Sequence, residues 1–256
     1  MKFSHRLAPG AVLLLAAGLW EAAVRGLALP EYILPAPSQI LTSFFDHFSM
    51  LAHHATITLA EILLGVLLAT VAGMLLAVLI DRSEILARAI YPLLIGSQMV
   101  PVFAVAPVLM VWFGYGLWPK VAVAALIGFF PIAINAADGL RTTSADAVEL
   151  FRSLDASRGQ IFFRLRLPSS LPLLLSGIKV GATLAVVGAT IGEWVGAKRG
   201  LGYLMVQSNA RLQMALVFAA ILALALLGLL LFTGLRILER RLLRWRTAEG
   251  GNRRGA

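Results

Sequence analysis

Six apolar runs constrain the fold of this chain more than any other feature of its sequence. Each run is close to the ~20 residues that an α-helix needs to cross the hydrocarbon layer of a membrane. They lie at residues 7–24, 57–80, 90–113, 121–137, 173–195 and 214–235. Only 14% of the residues are charged, against roughly 25% in soluble proteins, so polar groups are too few to cover a soluble surface. We therefore predict an all-α integral membrane protein with six spans.

The first apolar run has two interpretations. It could be the core of a cleaved signal peptide, because Lys2 and Arg6 precede it. The run is long for a signal peptide, however, and Glu21 and Arg25 follow where a cleavage site would need small residues. These features favour an uncleaved first helix.

The distribution of basic residues predicts the orientation of the spans. Seventeen of the 22 Lys and Arg residues fall on one side of the membrane if the chain begins in the cytoplasm. The other side then keeps Arg25, Lys120, Lys198, Arg199 and Arg211. Since basic residues accumulate on the cytoplasmic side, we predict that both termini are cytoplasmic, together with the segment 141–172 and a basic tail at 236–256.

Composition and motifs argue against several classes of function. The chain has no cysteine, which excludes a disulfide framework, a thiolate metal site and a catalytic thiol. It has no nucleophile–base pair, zinc motif or glycine-rich phosphate loop. The net charge is +9, and the basic residues lie between the apolar runs and in the tail. Nucleic-acid binders instead concentrate basic residues on one face. We expect no catalytic residue, no metal, no cofactor bound by this chain and no nucleic-acid partner.

Polar residues within the predicted spans are candidates for a translocation pathway. Gln98, Asn135 and Glu193 lie inside spans or at their ends. Polar groups in a membrane normally face the interior of a helix bundle or a cavity. A hydrogen bond between helices is the alternative for each residue, and Glu193 could also be solvated at the outer edge.

The segment 141–172 is polar and helix-prone, although it lies in the middle of an apolar chain. Thr143 fits the cap of a first short helix, and Ser157 opens a capping box for a second one. Asp155 lies at the turn between them, where aspartate tolerates left-handed backbone geometry. We expect Pro168 to end the second helix before the fifth span begins.

Apolar side chains follow one face of these two predicted helices. They are Leu150, Phe151 and Leu154 on the first helix, and Phe162, Leu165 and Leu167 on the second. An exposed apolar face of this kind indicates a contact with another protein. The alternative is that both helices lie on the inner membrane surface, held to anionic lipid by the arginines of the segment.

The spacing in this segment resembles the cytoplasmic motif of the permease subunits of ATP-binding-cassette (ABC) importers. That motif reads Glu-Ala-Ala, three residues, Gly, nine residues, Ile, one residue, Leu-Pro. The matching positions are Glu149, Leu150, Phe151, Asp155, Leu165, Leu167 and Pro168. Larger apolar residues replace both alanines here, aspartate replaces the glycine and leucine replaces the isoleucine.

Further segments extend the resemblance over nearly the whole chain. Those that resemble the nitrate, sulfonate and taurine branch of these permeases are residues 34–40 (LPAPSQI), 111–116 (VWFGYG) and 192–204 (GEWVGAKRGLGYL). Residues 188–197 (GATIGEWVGA) and 216–220 (LVFAA) look closer to members for thiamine-precursor pyrimidines or riboflavin.

The resemblance implies a six-helix type I importer permease bundle, formed by residues 1–256 as a single transmembrane domain in the bacterial inner membrane. The segment 141–172 would be its coupling loop. The residues implied to contact the ATPase are Glu149, Leu150, Phe151, Leu154, Asp155, Leu167 and Pro168. The implied partners are a second copy of the permease, an ATPase subunit that binds the ATP, an external solute-binding protein and membrane lipid.

The function implied by the resemblance is the ATP-driven import of a small organic solute. The motifs favour a thiamine-precursor pyrimidine or riboflavin. Sulfonates, taurine or nitrate are the alternative solutes, and a membrane enzyme or a channel is the alternative class of function.

Overall fold

The computed structural model describes the backbone of residues 4–244 and the side chains of residues 10–244, so the predicted basic tail after Arg244 lies outside the described residues. The described chain is helical, with no strand among these residues. In chain order the helices are α1 (Ser4–Gly26), α2 (Pro37–Asp46), α3 (Phe48–Arg82), α4 (Glu84–Ser97), α5 (Val102–Phe113), α6 (Leu117–Arg141), α7 (Ala145–Ser153), α8 (Arg158–Ile161), α9 (Leu167–Gly196), α10 (Leu201–Ala210) and α11 (Met214–Leu242). A π-helical turn, Phe162–Arg166, joins α8 to α9.

Within the described part of the chain, four helices are long and apolar enough to cross a membrane: α3, α6, the continuous run Arg158–Gly196 and α11. They contain the predicted spans 57–80, 121–137, 173–195 and 214–235. The pair α4 and α5 adds a fifth span if it is counted as one. The first predicted span falls within α1, and the count of six spans and their orientation remain predictions.

The predicted third span, residues 90–113, is not one straight helix. α4 ends at Ser97 and α5 begins at Val102, and the chain bends by 98° between them. Pro101 accounts for the break, because it has no amide hydrogen and its ring disfavours helical geometry at the preceding residue. Pro107, in contrast, lies inside α5 without ending it.

The described chain divides into two compact units. One contains the residues up to Thr58 and Lys198–Leu226, and therefore α1, α2, α10 and the first parts of α3 and α11. In this unit the rings of Trp20 and Phe218 pack edge to face, with centroids 5.7 Å apart. The other unit contains Leu59–Ala197 and the chain from Leu227 onward, and the candidate site lies within it.

In this second unit α6 and α9 run antiparallel and make the most extensive contact between helices. A Cβ atom added at Gly188 would lie 2.7 Å from the Cα of Ala124, and one added at Gly177 would lie 2.7 Å from the Cβ of Asn135. α3 approaches the same place, since a Cβ added at Gly65 would lie 2.7 Å from the Cβ of Ala124. Small residues permit this close approach of backbones, which is a main source of helix association in lipid.

Candidate functional site

The predicted coupling segment begins with α7, whose N-cap is one residue later than predicted. Ser144, not Thr143, has the extended backbone of an N-cap, and its Oγ accepts a hydrogen bond from the amide of Ala147 at 3.2 Å. The Thr143 hydroxyl instead donates to the carbonyl of Leu140 at 3.4 Å. The Thr143 side chain therefore hydrogen-bonds the last turn of α6, and Ser144 is the N-cap of α7.

A tight turn at Asp155 joins α7 to α8. Asp155 has φ +55°, as predicted, in the left-handed region that few residues other than glycine adopt. The amides of Asp155 and Ala156 satisfy two carbonyls of α7 at 3.0 Å each. The capping box of α8 is also confirmed, because Ser157 Oγ accepts from the Gln160 amide at 3.3 Å and Gln160 Oε1 accepts from the Ser157 amide at 2.7 Å.

The coupling segment has two apolar faces, and only one of them is covered. Val148 and Ile161 are buried, at 8% and 7% exposure. Leu150, Leu154 and Phe163 point away from the protein, at 59%, 71% and 67% exposure. We refer to these three residues as the outer apolar face. Such a cluster on a short polar segment offers a binding surface to another molecule.

The structure places the remaining predicted coupling residues around this face. Glu149 and Asp155 are exposed, while Phe151, Leu167 and Pro168 are half-buried. Phe162, which the sequence placed on the same face as Leu150, packs against the apolar core of the bundle. Phe163 was not predicted as part of this face, because no sequence pattern indicates which of the two adjacent phenylalanines faces the core.

Pro168 does not end the second helix, contrary to the prediction. The helix continues through Pro168 and Pro172, without a break from Arg158 to Gly196. In the π turn the amide of Leu167 donates to the carbonyl of Phe162, five residues earlier. The wider turn precedes Pro168, and the missing amide of proline is tolerated in the first turn of the helix that follows. The end of the predicted loop is therefore the base of α9.

Polar contacts tie neighbouring helices together around the coupling segment. Arg166 Nη1 lies 2.5 Å from Asp81 Oδ2 at the end of α3, and Lys179 Nζ lies 2.6 Å from Glu239 Oε2 on α11. The Tyr91 hydroxyl on α4 donates to Asp138 on α6. These groups are partly exposed, so their contribution to stability is modest, but they fix how the elements are oriented.

The three predicted pathway residues lie in different environments. Gln98 is exposed, directly after α4 and within the break before α5. Asn135 is half-buried, and its side-chain amide donates to the carbonyl of Pro131 at 2.8 Å. Glu193 is buried at 1% exposure, so it is not the solvated surface residue that the sequence allowed as an alternative.

Glu193 belongs to a cluster of buried charged residues with Glu61 on α3 and Lys120 on α6. Lys120 Nζ donates to Glu61 Oε1 at 2.6 Å, and the side chain of Glu193 also interacts with Glu61. A Cβ added at Gly192 would lie 2.9 Å from the Cα of Lys120, so the small residue before Glu193 allows the approach. We refer to these three residues as the buried charge cluster.

The charge distribution predicted Lys120 in an outside loop, and this prediction is wrong. Lys120 lies in the first turn of α6, where it is buried. The signal that could have found it is Glu61, because a carboxylate inside an apolar span needs a nearby cation or donor. Over residues 10–244 no group of three or more His, Asp or Glu side chains is arranged to hold a metal ion.

A family model described as "Binding-protein-dependent transport system inner membrane component" matches residues 62–244. The chain belongs to this family. The matched range contains the whole coupling segment, and the described chain has several helices apolar enough to span a membrane. The permease is therefore a multi-pass protein of the bacterial inner membrane.

Three relatives of this permease are transport permeases, not enzymes. The chain is 43% identical to the formylaminopyrimidine transport permease protein ThiX of Halalkalibacterium halodurans, over 97% of this chain and 100% of the relative. It is 36% identical to the riboflavin transport system permease protein RibX of Chloroflexus aurantiacus, over 91% and 88%. It is 32% identical to the putative aliphatic sulfonates transport permease protein SsuC of Bacillus subtilis, over 86% and 80%.

The fold of the permease is similar to that of a chain from the MetNI methionine ABC transporter, solved in inward-facing conformations. The TM-score is 0.68 at 20% sequence identity, and the match covers 77% of this chain and 98% of the MetNI chain. At this identity the match shows the fold alone.

Proposed function

We propose that this permease forms the translocation pathway of an ATP-driven importer. The whole chain acts as one permease domain with both termini in the cytoplasm. The outer apolar face meets a separate ATPase subunit, which binds the ATP. The observation that carries the proposal is the exposure of Leu150, Leu154 and Phe163 on a capped, ordered segment, because three large apolar side chains on such a segment need a partner.

The segment exposes charges of both signs beside its outer apolar face. Asp146, Glu149 and Asp155 are exposed, and so are Arg152, Arg158 and Arg164. Anionic lipid would attract the arginines but repel the carboxylates. A protein groove with charges of both signs at its rim would accept Glu149 as well as the arginines and bury the leucines, so the proposal places an ATPase surface here.

Support for Gln98 as a pathway residue comes from its place in the break between α4 and α5. Irregular backbone at membrane depth is tolerated only where protein covers it or where it lines a water-filled cavity. The Gln98 side chain is exposed there and can hydrogen-bond a passing solute. Asn135 and Glu193 have less support, because the amide of Asn135 is bonded to Pro131 and Glu193 is buried.

A second copy of the permease completes the pathway, and an external binding protein delivers the solute. The dependence on a binding protein is part of the family description. A second copy would cover the exposed break after α4 from the side that this chain leaves open. Membrane lipid surrounds the remaining apolar surface of the pair.

For the solute, we infer an aminopyrimidine precursor of thiamine. The relative named for formylaminopyrimidine transport has higher identity and coverage than the relatives named for riboflavin or for sulfonates. Uptake of labelled formylaminopyrimidine, with competition by unlabelled riboflavin and taurine, tests this choice. Competition by riboflavin or taurine at a lower concentration than by unlabelled formylaminopyrimidine would overturn it.

Co-purification with the cognate ATPase subunit tests the coupling role. Leu154→Ser should reduce the amount of ATPase that remains bound to the permease, because it removes part of the outer apolar face. Leu27→Ser is the matched control, since Leu27 is an equally exposed leucine outside the segment. Full retention of the ATPase by Leu154→Ser, or an equal loss with Leu27→Ser, would contradict the proposal.

A further inference from the structure

Besides apolar packing at Phe162, the coupling segment forms an ion pair with α3, a transmembrane helix that it does not adjoin in sequence. Arg166, the last residue of the π turn, forms an ion pair with Asp81, the penultimate residue of α3, at 2.5 Å. The side chains are 30% and 14% exposed, so water screens this pair less than it screens a pair on an open surface. Within residues 10–244 this is the one ion pair between the segment and α3.

The covalent connections of the segment lead to α6 and α9 only. A displacement of the segment therefore reaches these two helices through the chain itself. α3 is not adjacent to the segment in sequence, so it moves together with α6 and α9 only if non-covalent contacts join it to them. Near its middle α3 is held to α6 by the buried charge cluster, through Glu61 and Lys120, and by close packing at Gly65 and Gly73. At the end of α3 nearest the segment, the ion pair Asp81–Arg166 makes the corresponding connection.

The π turn explains why Arg166 faces α3. One inserted residue rotates the side chains on either side of it by about 100° relative to each other, since an α-helix has 3.6 residues per turn. Without this insertion, Arg166 and the outer apolar face could not both keep their present directions. Arg164 lies on the same turn but is exposed and has no ion pair with any residue in the described range 10–244, so position on the turn decides which arginine is paired.

We propose that Arg166 is a positioning residue, which through Asp81 makes α3 move together with the coupling segment when the ATPase subunit moves that segment. This inference rests on the proposed function. In the intact protein, α3, α6 and α9 then respond as one body. With the pair broken, the segment still binds the ATPase but moves relative to α3, so hydrolysis drives transport less efficiently.

The absence of cysteine from the chain allows the movement to be measured directly. Spin labels are attached to Ser153→Cys on α7 and Arg82→Cys at the end of α3, both exposed positions. The distance between them is measured by pulsed electron paramagnetic resonance in the full complex in nanodiscs, with and without ATP. We expect an unchanged distance in the parent protein and a shifted distance in Arg166→Gln and in Asp81→Asn.

Three further variants separate positioning from folding. Arg164→Gln, the matched control, should behave as the parent protein, and Arg166→Lys should largely restore it. The charge-reversed pair, Asp81→Arg with Arg166→Asp, should also restore it. In proteoliposomes with formylaminopyrimidine as the probe, Arg166→Gln should lower uptake per ATP hydrolysed by roughly fivefold, the size of coupling typical of contacting residues.

Two results would overturn the inference while leaving the proposed function intact. One is that Arg166→Gln binds the ATPase and shows the same distances between the two labels as the parent protein, both with and without ATP. The other is a charge-reversed pair that folds and binds the ATPase but stays as uncoupled as the single variants. A parent protein that binds no ATPase subunit would instead contradict the proposed function itself.

Discussion

Replacing Lys120 by methionine should destabilise the permease more than replacing any exposed lysine. Lys120 Nζ lies 2.6 Å from Glu61 Oε1, and the two side chains are 9% and 0% exposed. Their attraction is about 6 kcal/mol at this distance for an effective dielectric constant of about 20. The cost of taking both ions out of water is of similar size, so the intact pair adds little net stability.

Removal of one partner has a much larger effect than this balance suggests. Lys120→Met leaves the Glu61 carboxylate buried without its cation, and Glu61 Oε2 already has no hydrogen-bond partner in the described part of the chain. Breaking a buried pair in this way costs about 3 to 5 kcal/mol. For a chain of this size the loss corresponds to a decrease in Tm of roughly 6 to 20 °C.

Thermal unfolding of the purified permease in detergent, followed by tryptophan fluorescence, measures this effect. The double variant Lys120→Met with Glu61→Gln should recover most of the loss, because the stranded charge is gone and the amide can still hydrogen-bond Glu193. Lys198→Met, at an exposed lysine, is the matched control and should leave Tm unchanged. The reasoning is refuted if the double variant is no more stable than Lys120→Met alone.

Other substitutions test the helix packing and the turn of the coupling segment. Gly188→Ala should lower stability by about 1 to 3 kcal/mol, because the new Cβ would lie 2.7 Å from Ala124 Cα. Gly96→Ala, whose added Cβ would have no described atom within 4 Å, is the control and should not change thermal unfolding. Equal losses of stability in the two variants would contradict the packing argument. Asp155→Gly should slow amide exchange in α7 and α8, since glycine relieves about 1 kcal/mol of left-handed strain, and faster exchange would show that the aspartate side chain stabilises the turn. Ser157→Ala should cost about 1 kcal/mol of local stability, seen as faster amide exchange in α8 only, and exchange at the parent rate would show that the cap is dispensable.

The sequence predicted four of its six spans as long apolar helices of the described chain, because apolar length is a strong signal in a membrane protein. The break after Ser97 was less predictable, since the apolar run 90–113 is continuous and only Pro101 marks the bend. A proline inside a span has no fixed consequence: Pro131 and Pro172 lie inside unbroken helices. Proline leaves the carbonyl four residues before it without its helical hydrogen bond. Whether another group donates to that carbonyl, or the helical turn widens, depends on tertiary contacts that the sequence does not show.

The coupling segment was predictable where local chemistry decides its geometry. The capping box at Ser157 and the left-handed turn at Asp155 depend on neighbouring residues alone, and both are confirmed. The π turn and the burial of Lys120 depend on partners that are distant in sequence. Asp81 is 85 residues from Arg166 and Glu61 is 59 residues from Lys120, and no local pattern encodes these separations.

The contacts of the second unit concentrate the capacity for movement in α4 and α5. α6 and α9 cannot slide past each other easily, because residues such as Gly177 and Gly188 leave less than 3 Å for any added Cβ. α3 is joined to them by the buried charge cluster and by Asp81–Arg166. α4, in contrast, is held near its middle by the Tyr91–Asp138 hydrogen bond and by the buried Ala87 and Leu94, and an exposed, non-helical break follows it. Under the proposed function, bending at this break beside the three-helix body would change the width of the pathway without unpacking the body, and Gln98 lies at the bend.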